Sequence, residues 1–143
     1  MLYVRGINSQ VTCDQLFVLF GVYGDVERVK ILPPPKSAAM IEFSNTYGSS
    51  AALQYLGRGC PLFGSNLSVT RSKHFNINVP RSSDNSNFDG QFKDYHGSPL
   101  HRFKRTGSKN YNHICAPSKS LHVSNISGSV TESEMRELFE RYG

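Results

Sequence analysis

The first residues of the chain set an aromatic ring beside a positive charge. Leu2 and Val4 are apolar and alternate with Tyr3 and Arg5, which is the period-two pattern of a β-strand. The alternation predicts that Tyr3 and Arg5 share one face of a sheet, with the aliphatic pair on the other. A ring next to a cation can stack on a nucleobase and contact its phosphate. An ordinary half-buried strand has the same pattern, so the rest of the chain must decide between these interpretations.

Composition and cysteine spacing narrow the class of protein. The formal net charge of +5 over 143 residues favours a polyanionic partner. The odd, widely spaced cysteines, Cys13, Cys60 and Cys115, are typical of free thiols in a reducing compartment. The histidines and cysteines lack metal-ligand spacing, and no run reaches the about 18 apolar residues of a membrane span. We therefore expect no metal, no cofactor and no membrane association.

The elements that would position Tyr3 and Arg5 have clear sequence signals. Thr12 and Gln15 form a capping box, and the apolar stripe that follows predicts a helix ending at Gly24. The predicted elements are a strand at 2–7, a helix at 12–24, strands at 26–32 and 38–43, a helix at 45–56 and a strand at 67–72. This β-α-β-β-α-β order predicts an α+β fold, with a four-stranded antiparallel sheet under two helices.

The chain changes character after this domain, which we assign to residues 1–80. Residues 81–119 are predicted to be a basic linker rich in Ser, Asn and Gly, and 82–92 are expected to be disordered. Residues 121–126 then repeat the pattern of 2–7, and the capping box recurs without a gap before a second apolar helical stripe. We assign 120–143 to the first strand and first helix of a second, truncated copy. The chain is therefore interpreted as a fragment clipped at both ends.

Two segments carry a family resemblance. Residues 36–43, KSAAMIEF, are in register with the octamer of the RNA recognition motif, and 2–7 resemble its companion hexamer. Residues 16–26, LFVLFGVYGDV, and 97–104, GSPLHRFK, closely resemble the polypyrimidine-tract-binding protein family. The similarity is to its third RNA recognition motif, the linker and the start of the fourth. It implies a ferredoxin-like domain with a fifth strand, for which 75–79 are the candidate.

The octamer departs from the general motif. Its two exposed aromatic positions are Ala38 and Met40, and Ser37 replaces the usual glycine. Stacking is worth roughly 1–3 kcal/mol per base, so a flat Ala/Met floor favours small pyrimidines read by hydrogen bonds. The proline loop at 33–35 leaves Lys36 as its phosphate contact.

The resemblance implies binding of single-stranded, CU-rich RNA in pre-mRNA splicing and mRNA processing. By the same resemblance, we expect a nuclear, shuttling monomer that contacts splicing-factor proteins. The candidate RNA-binding residues are Tyr3, Arg5, Lys30, Lys36, Ala38, Met40, Ser68, Thr70, Ser72, Lys73, His74, Phe75, Asn76 and His122. For the residues after the fourth strand, the other interpretation is a tail that packs on the sheet.

A second surface is predicted between the domains. Phe17 and Val18 lie outside the core stripe of the first helix, and the second copy has Arg136 and Glu137 in their place. The linker interleaves large apolar groups with basic ones, and these groups are Tyr95, Leu100, Phe103 and Tyr111. In the intact protein we expect Phe17, Val18, Leu100 and Phe103 to form an interdomain contact. In this chain the linker is expected to be mobile.

Two other functions are weighed against RNA binding. The missing octamer aromatics fit a protein-interaction version of the fold, but such a version should have a more acidic first helix, and this helix has only Asp14. An enzyme would need a nucleophile–base pair, paired carboxylates or a phosphate loop, and the sequence has none of these. We therefore expect a binding protein rather than an enzyme.

Overall fold

The predicted order of strands and helices is confirmed and extended in a computed structural model, which describes residues 1–79, 90–105 and 107–142. Its elements are β1 (Leu2–Arg5), α1 (Cys13–Gly21), β2 (Val26–Ile31), β3 (Ala38–Phe43), α2 (Thr46–Leu56), β4 (Cys60–Leu62), β5 (Ser65–Arg71), β6 (Phe92–Asp94) and α3 (Glu132–Glu140). A short 3-10 helix also covers Lys109–His113. None of the helices in the described ranges is both long and apolar enough to cross a membrane.

The strands form one antiparallel sheet in the order β4-β5-β1-β3-β2-β6. Leu2 lies opposite Ile41 on one side and Arg71 on the other, so β1 is central. The inward residues of the strands pack against α1 and α2, which leaves the other face of the sheet without helices. This core includes Leu2, Val4, Leu16, Phe20, Val29, Ile41, Ala52, Leu56, Leu67 and Val69.

Both main helices begin as their sequences predict. Thr12 caps α1 through its side chain, and the reciprocal bond from the Thr12 amide to Gln15 Oε1 measures 2.9 Å. Asn45 caps α2 by accepting a hydrogen bond from the Gly48 amide at 3.1 Å. These caps satisfy backbone amides that the first helical turns would otherwise leave unpaired.

The strand that follows the four predicted ones is β6, at Phe92–Asp94. The assignment of that strand to residues 75–79 was therefore wrong. β6 pairs with β2, placing Asp94 opposite Arg28 and Phe92 opposite Lys30. Residues 75–79 form no strand because the amide of Ile77 binds a side chain, Glu42, instead of a neighbouring backbone. An additional hairpin strand, β4, pairs with β5 in a region for which no strand was predicted.

The later linker packs on the domain, contrary to the expected mobility. The Tyr95 ring stacks on Phe17 with centroids 4.1 Å apart and planes 15° apart, and both side chains are buried. Its hydroxyl donates to Asp14 at 2.8 Å, and Lys93 binds the same carboxylate at 2.7 Å. Phe103 is also buried, with its amide donating to Asp25 at 3.0 Å. Of the segment predicted to be disordered, 82–89 lie outside the described residues, whereas Phe92 is in a strand.

The segment predicted to be a second copy, residues 120–143, contains a helix but no strand in its described part. Its helix α3 has the predicted capping box between Thr131 and Glu134. Residues 121–126 have no strand partner and do not form the predicted strand, because a strand needs a neighbour for its backbone hydrogen bonds. The division into 1–80, 81–119 and 120–143 therefore stays a prediction.

Candidate nucleic-acid interface

A continuous row of side chains crosses the open face of the sheet. The strand register aligns Thr70 on β5, Tyr3 on β1, Met40 on β3, Lys30 on β2 and Phe92 on β6. Directly paired residues point to the same face of a sheet, so these five share the open side. The row has an aromatic ring on β1 and another on β6, with a thioether and a cation between them. Such a row can hold bases flat while reaching phosphates.

Tyr3 and Arg5 meet on this face as their alternation predicts. The Arg5 guanidinium lies 5.6 Å from the centroid of the Tyr3 ring, and Arg5 is exposed. Ser68 faces Arg5 from β5, and Thr70 faces Tyr3 and donates its hydroxyl proton to the Tyr3 carbonyl at 3.2 Å. A hydroxyl that donates inward still has an acceptor site for a ligand. The β1–β5 side thus combines a ring, a cation and hydroxyl groups.

The expected Ala38/Met40 floor is only half present. Met40 is partly exposed, but Ala38 has no exposed surface. Its methyl group is short and lies between neighbouring strands, opposite the long side chain of Arg5. The prediction that Ala38 forms an exposed apolar floor was therefore wrong, and Met40 alone supplies that surface.

A second row carries compensating charges. Arg28 Nε lies 3.0 Å from Asp94 Oδ2 on β6, and Arg28 Nη1 lies 3.3 Å from Glu42 Oε1 on β3. Burial works to raise the pKa of Asp94, but the His96 amide and the Arg28 guanidinium outweigh it and lower that pKa below its ordinary value. With a carboxylate on each side, Arg28 is a poor phosphate ligand here.

The residues after β5 arch over the beginning of β1. The Ser72 amide donates to the Met1 carbonyl at 3.2 Å, and the Ile77 amide donates to Glu42 Oε2 at 2.9 Å. Between these anchors Lys73, His74, Phe75 and Asn76 are all exposed. The end of this tail therefore packs on the sheet, as the second interpretation predicts, while its middle faces solvent and its contact with RNA stays a prediction.

Three other predicted residues have separate positions. Lys36 is exposed in the β2–β3 loop, beyond the end of the rows. His122 is exposed in the irregular segment before α3 and is not part of the sheet. Ser72 is half-buried at the foot of the arch. The structure brings the β1, β2, β3 and β5 candidates together with the arch, and leaves His122 outside.

Phe92 is a site residue that the sequence reasoning missed. It was assigned to a disordered segment, yet it extends the row beyond Lys30 at the edge of the sheet. Its neighbour Lys93 points to the helix side, where it binds Asp14, which confirms that Phe92 faces the open side. The sequence had no period-two signal for this strand, because each face of the segment from Phe92 to Tyr95 carries one aromatic and one charged residue.

The predicted interdomain residues divide into two pairs. Phe17 and Phe103 are already buried within this chain, by Tyr95 and by the contact of Phe103 with Tyr111 at 4.6 Å between ring centroids. Phe17 is therefore part of the core cluster, although its position lies outside the helical stripe. Val18 and Leu100 are 66% and 70% exposed, and they line one shallow groove beside α1. Only this second pair is available to another domain.

No group of three or more His, Cys, Asp or Glu side chains that could hold a metal occurs in the described part of the chain. The thiols of Cys13 and Cys60 are buried, and burial raises the pKa of each. Tyr23 is likewise buried, which raises its pKa to about 12. These groups are structural parts of the core, apart from the open face.

Comparison with known proteins agrees with the resemblance. The chain is 35% identical over 141 residues to polypyrimidine tract-binding protein homolog 3 of Arabidopsis thaliana, covering 98% of this chain and 30% of the relative. It is 32% identical over 144 residues to human heterogeneous nuclear ribonucleoprotein L, covering 100% of this chain and 24% of the relative. This chain thus spans less than a third of either protein's length.

Solved structures and a family profile complete the comparison. The structure of the Rna15 RRM with bound RNA (GU) aligns with 53% of this chain and 85% of its own, at 27% identity and a TM-score of 0.47. The profile described as RNA recognition motif (RRM, RBD or RNP domain) matches residues 1–98, a range that includes β6. This family consists of RNA-binding domains rather than enzymes, as predicted. The chain belongs to the RNA recognition motif family.

Proposed function

We propose that this chain binds single-stranded, pyrimidine-rich RNA on the open face of its sheet. The observation that carries the proposal is the row formed by Thr70, Tyr3, Met40, Lys30 and Phe92. Each aromatic ring can stack one base, and such stacking contributes roughly 1–3 kcal/mol per base. Met40 lies between Tyr3 and Lys30 in this row and gives a low apolar surface. Such a surface suits the small ring of a pyrimidine.

Polar groups beside Tyr3 can hydrogen-bond the exposed edge of a stacked base. The Thr70 hydroxyl donates to the Tyr3 carbonyl, so it offers its acceptor side to a ligand. Cytosine and uracil present N–H donors on their Watson–Crick edges, and the unstacked bases of single strands expose these edges. Ser68, exposed beside Arg5, can add a donor or an acceptor. Arg5, Lys30, Lys36 and Lys73 would then contact phosphates.

A binding titration tests the proposal directly. Fluorescence anisotropy would compare a CU-rich RNA oligomer with a purine-rich RNA and a CU-rich DNA of equal length, each at two salt concentrations. We expect the CU-rich RNA to bind most tightly. Equal binding of all three would show that only charge is recognised and would overturn the pyrimidine proposal.

The protein-interaction version of the fold is less well supported. Asp14, the acidic residue in the first turn of α1, is already held by Lys93 and Tyr95. A basic partner would have to displace both of these groups. The open face, by contrast, has a cation, two rings and hydroxyl groups in reach of solvent.

The role in a longer protein follows from the relatives. One is named for polypyrimidine tract binding and the other for heterogeneous nuclear ribonucleoprotein. On this basis we propose a nuclear RNA-processing function that includes pre-mRNA splicing, with the chain monomeric and able to meet splicing-factor proteins. Nuclear localisation of a tagged full-length protein, and splicing changes on its depletion, would test this part.

We also propose that Val18 and Leu100 contact a neighbouring domain in the longer protein. Both are exposed apolar groups beside one groove, whereas Phe17 and Phe103 are already buried. Val18→Glu should therefore leave this domain folded and increase independent tumbling of the two domains, measured by NMR relaxation. If the domains already tumble independently before mutation, the contact does not exist.

A further inference from the structure

The arch after β5 has more chain than its span requires. Leu2 lies between Arg71 and Ile41, so the arch crosses two strand spacings, about 10 Å, to reach β3. The six steps from Arg71 to Ile77 could extend to about 20 Å. The extra length is taken up by bends between the two ends, and Phe75 in this stretch is 91% exposed.

The far end of the arch, its foot at Ile77, is hydrogen-bonded to the side chain of Glu42. Ile77 is 4% exposed and lies outside the core cluster that packs under the helices. Its amide donates to Glu42 Oε2 at 2.9 Å, and Glu42 is itself 7% exposed. The other oxygen of this carboxylate binds Arg28 at 3.3 Å. Glu42 is therefore a buried acceptor held in position from the β2 side.

We propose that Glu42 is a positioning residue for RNA binding, because it closes the arch that presents Lys73, His74, Phe75 and Asn76. The proposal rests on the proposed function. With the Ile77 foot held, these four residues stay between the Ser72–Met1 hydrogen bond and β3. Without it, the tail would be free after Ser72, and RNA binding would have to order it at an entropic cost.

Three substitutions separate this role from simple charge. Glu42→Leu removes both the charge and the acceptor, whereas Glu42→Gln removes the charge but keeps an oxygen acceptor. Asp94→Asn is the matched control, since it removes one negative charge from the other side of Arg28 and does not touch the arch. All three change the net charge equally, so differences between them report the acceptor.

Two readouts are expected to move together. Hydrogen exchange should show the Ile77 amide protected in the unmodified chain, in Glu42→Gln and in Asp94→Asn, and unprotected in Glu42→Leu. Binding of a CU-rich RNA oligomer should weaken by about 3- to 10-fold in Glu42→Leu only, which is the scale for immobilising one or two side chains. Phe75→Ala should lose most of its effect in the Glu42→Leu background, as coupled positions do.

Different outcomes would refute the positioning role of Glu42 and the proposed RNA-binding function. A freely exchanging Ile77 amide in the unmodified chain, or equal affinity of Glu42→Leu and Asp94→Asn, would overturn the positioning role. Failure of the unmodified chain to bind RNA would instead refute the proposed function, while the Ile77 amide still reported whether Glu42 closes the arch. If Glu42→Leu does not fold, Ile77→Ala loosens the same foot with β3 unchanged, and it must weaken binding for the proposal to stand.

Discussion

Replacing Tyr95 with alanine should destabilise the domain although Tyr95 lies in a segment that sequence assigns to a linker. The ring is 8% exposed and stacks on Phe17, which is 6% exposed. Truncating a buried aromatic residue costs about 3–5 kcal/mol in protein cores, of which the stacked pair accounts for about 0.5–1.5 kcal/mol. Tyr95 lies near the surface, where the gap can partly close, so we expect a loss of about 2–4 kcal/mol.

Urea denaturation followed by circular dichroism measures this change. For a domain of this size the dependence on urea is about 1–2 kcal/mol per molar, so the midpoint should fall by about 1–4 M. Tyr95→Phe keeps the stack and loses only the bond to the exposed Asp14, and should cost about 0.5–1 kcal/mol. Leu100→Ala is the control from the same segment, because Leu100 is 70% exposed and its loss should stay within about 0.5 kcal/mol.

A local probe distinguishes linker release from global unfolding. The Ile31 amide donates to the Gln91 carbonyl at 2.7 Å, and the Tyr95 amide donates to Glu27 at 2.7 Å. If Tyr95→Ala releases β6, the Ile31 amide should exchange faster while core amides keep their rates. An unchanged midpoint together with an unchanged Ile31 exchange rate would refute the docking of this segment.

Four further outcomes are expected. Tyr3→Ala should weaken binding of a CU-rich RNA by about 1–3 kcal/mol with an unchanged circular-dichroism spectrum, and unchanged affinity would remove Tyr3 from the site. Phe92→Ala should weaken the same binding whereas Phe92→Tyr should not, since both aromatic residues can stack. Met40→Phe should tighten binding and reduce the preference for pyrimidines over purines, and full selectivity would contradict the role of the low surface. The Lys93 and Tyr95 hydrogen bonds lower the pKa of Asp14, so charged Asp14 favours docking above the ordinary value of 3.8, and docking should weaken as the pH falls below it, visible as faster exchange of β6 amides.

Strands and helices whose signals lie within a few residues could be predicted from the sequence alone. Alternation in 2–5 and the paired caps at Thr12 and Thr131 lie within a few residues of the structures they specify. A capping box satisfies helix amides through side chains three residues apart, so it works in either copy, whatever lies around it. That is why α3 begins at its predicted cap, Thr131.

Tertiary structure alone decided which segments joined the sheet. The three residues of β6 are too short to be stable without β2, and their register depends on pairs such as Arg28 with Asp94, 66 positions apart. The same long-range packing buried Ala38, and it gave Tyr95 a partner on α1 and Tyr111 a partner on α2 that the linker composition did not reveal. Residues 121–126 alternate like β1 but form no strand, because within the described part of the chain no neighbouring strand pairs with them. Backbone hydrogen bonds within a helix are local, whereas those of a strand require a partner from elsewhere in the chain.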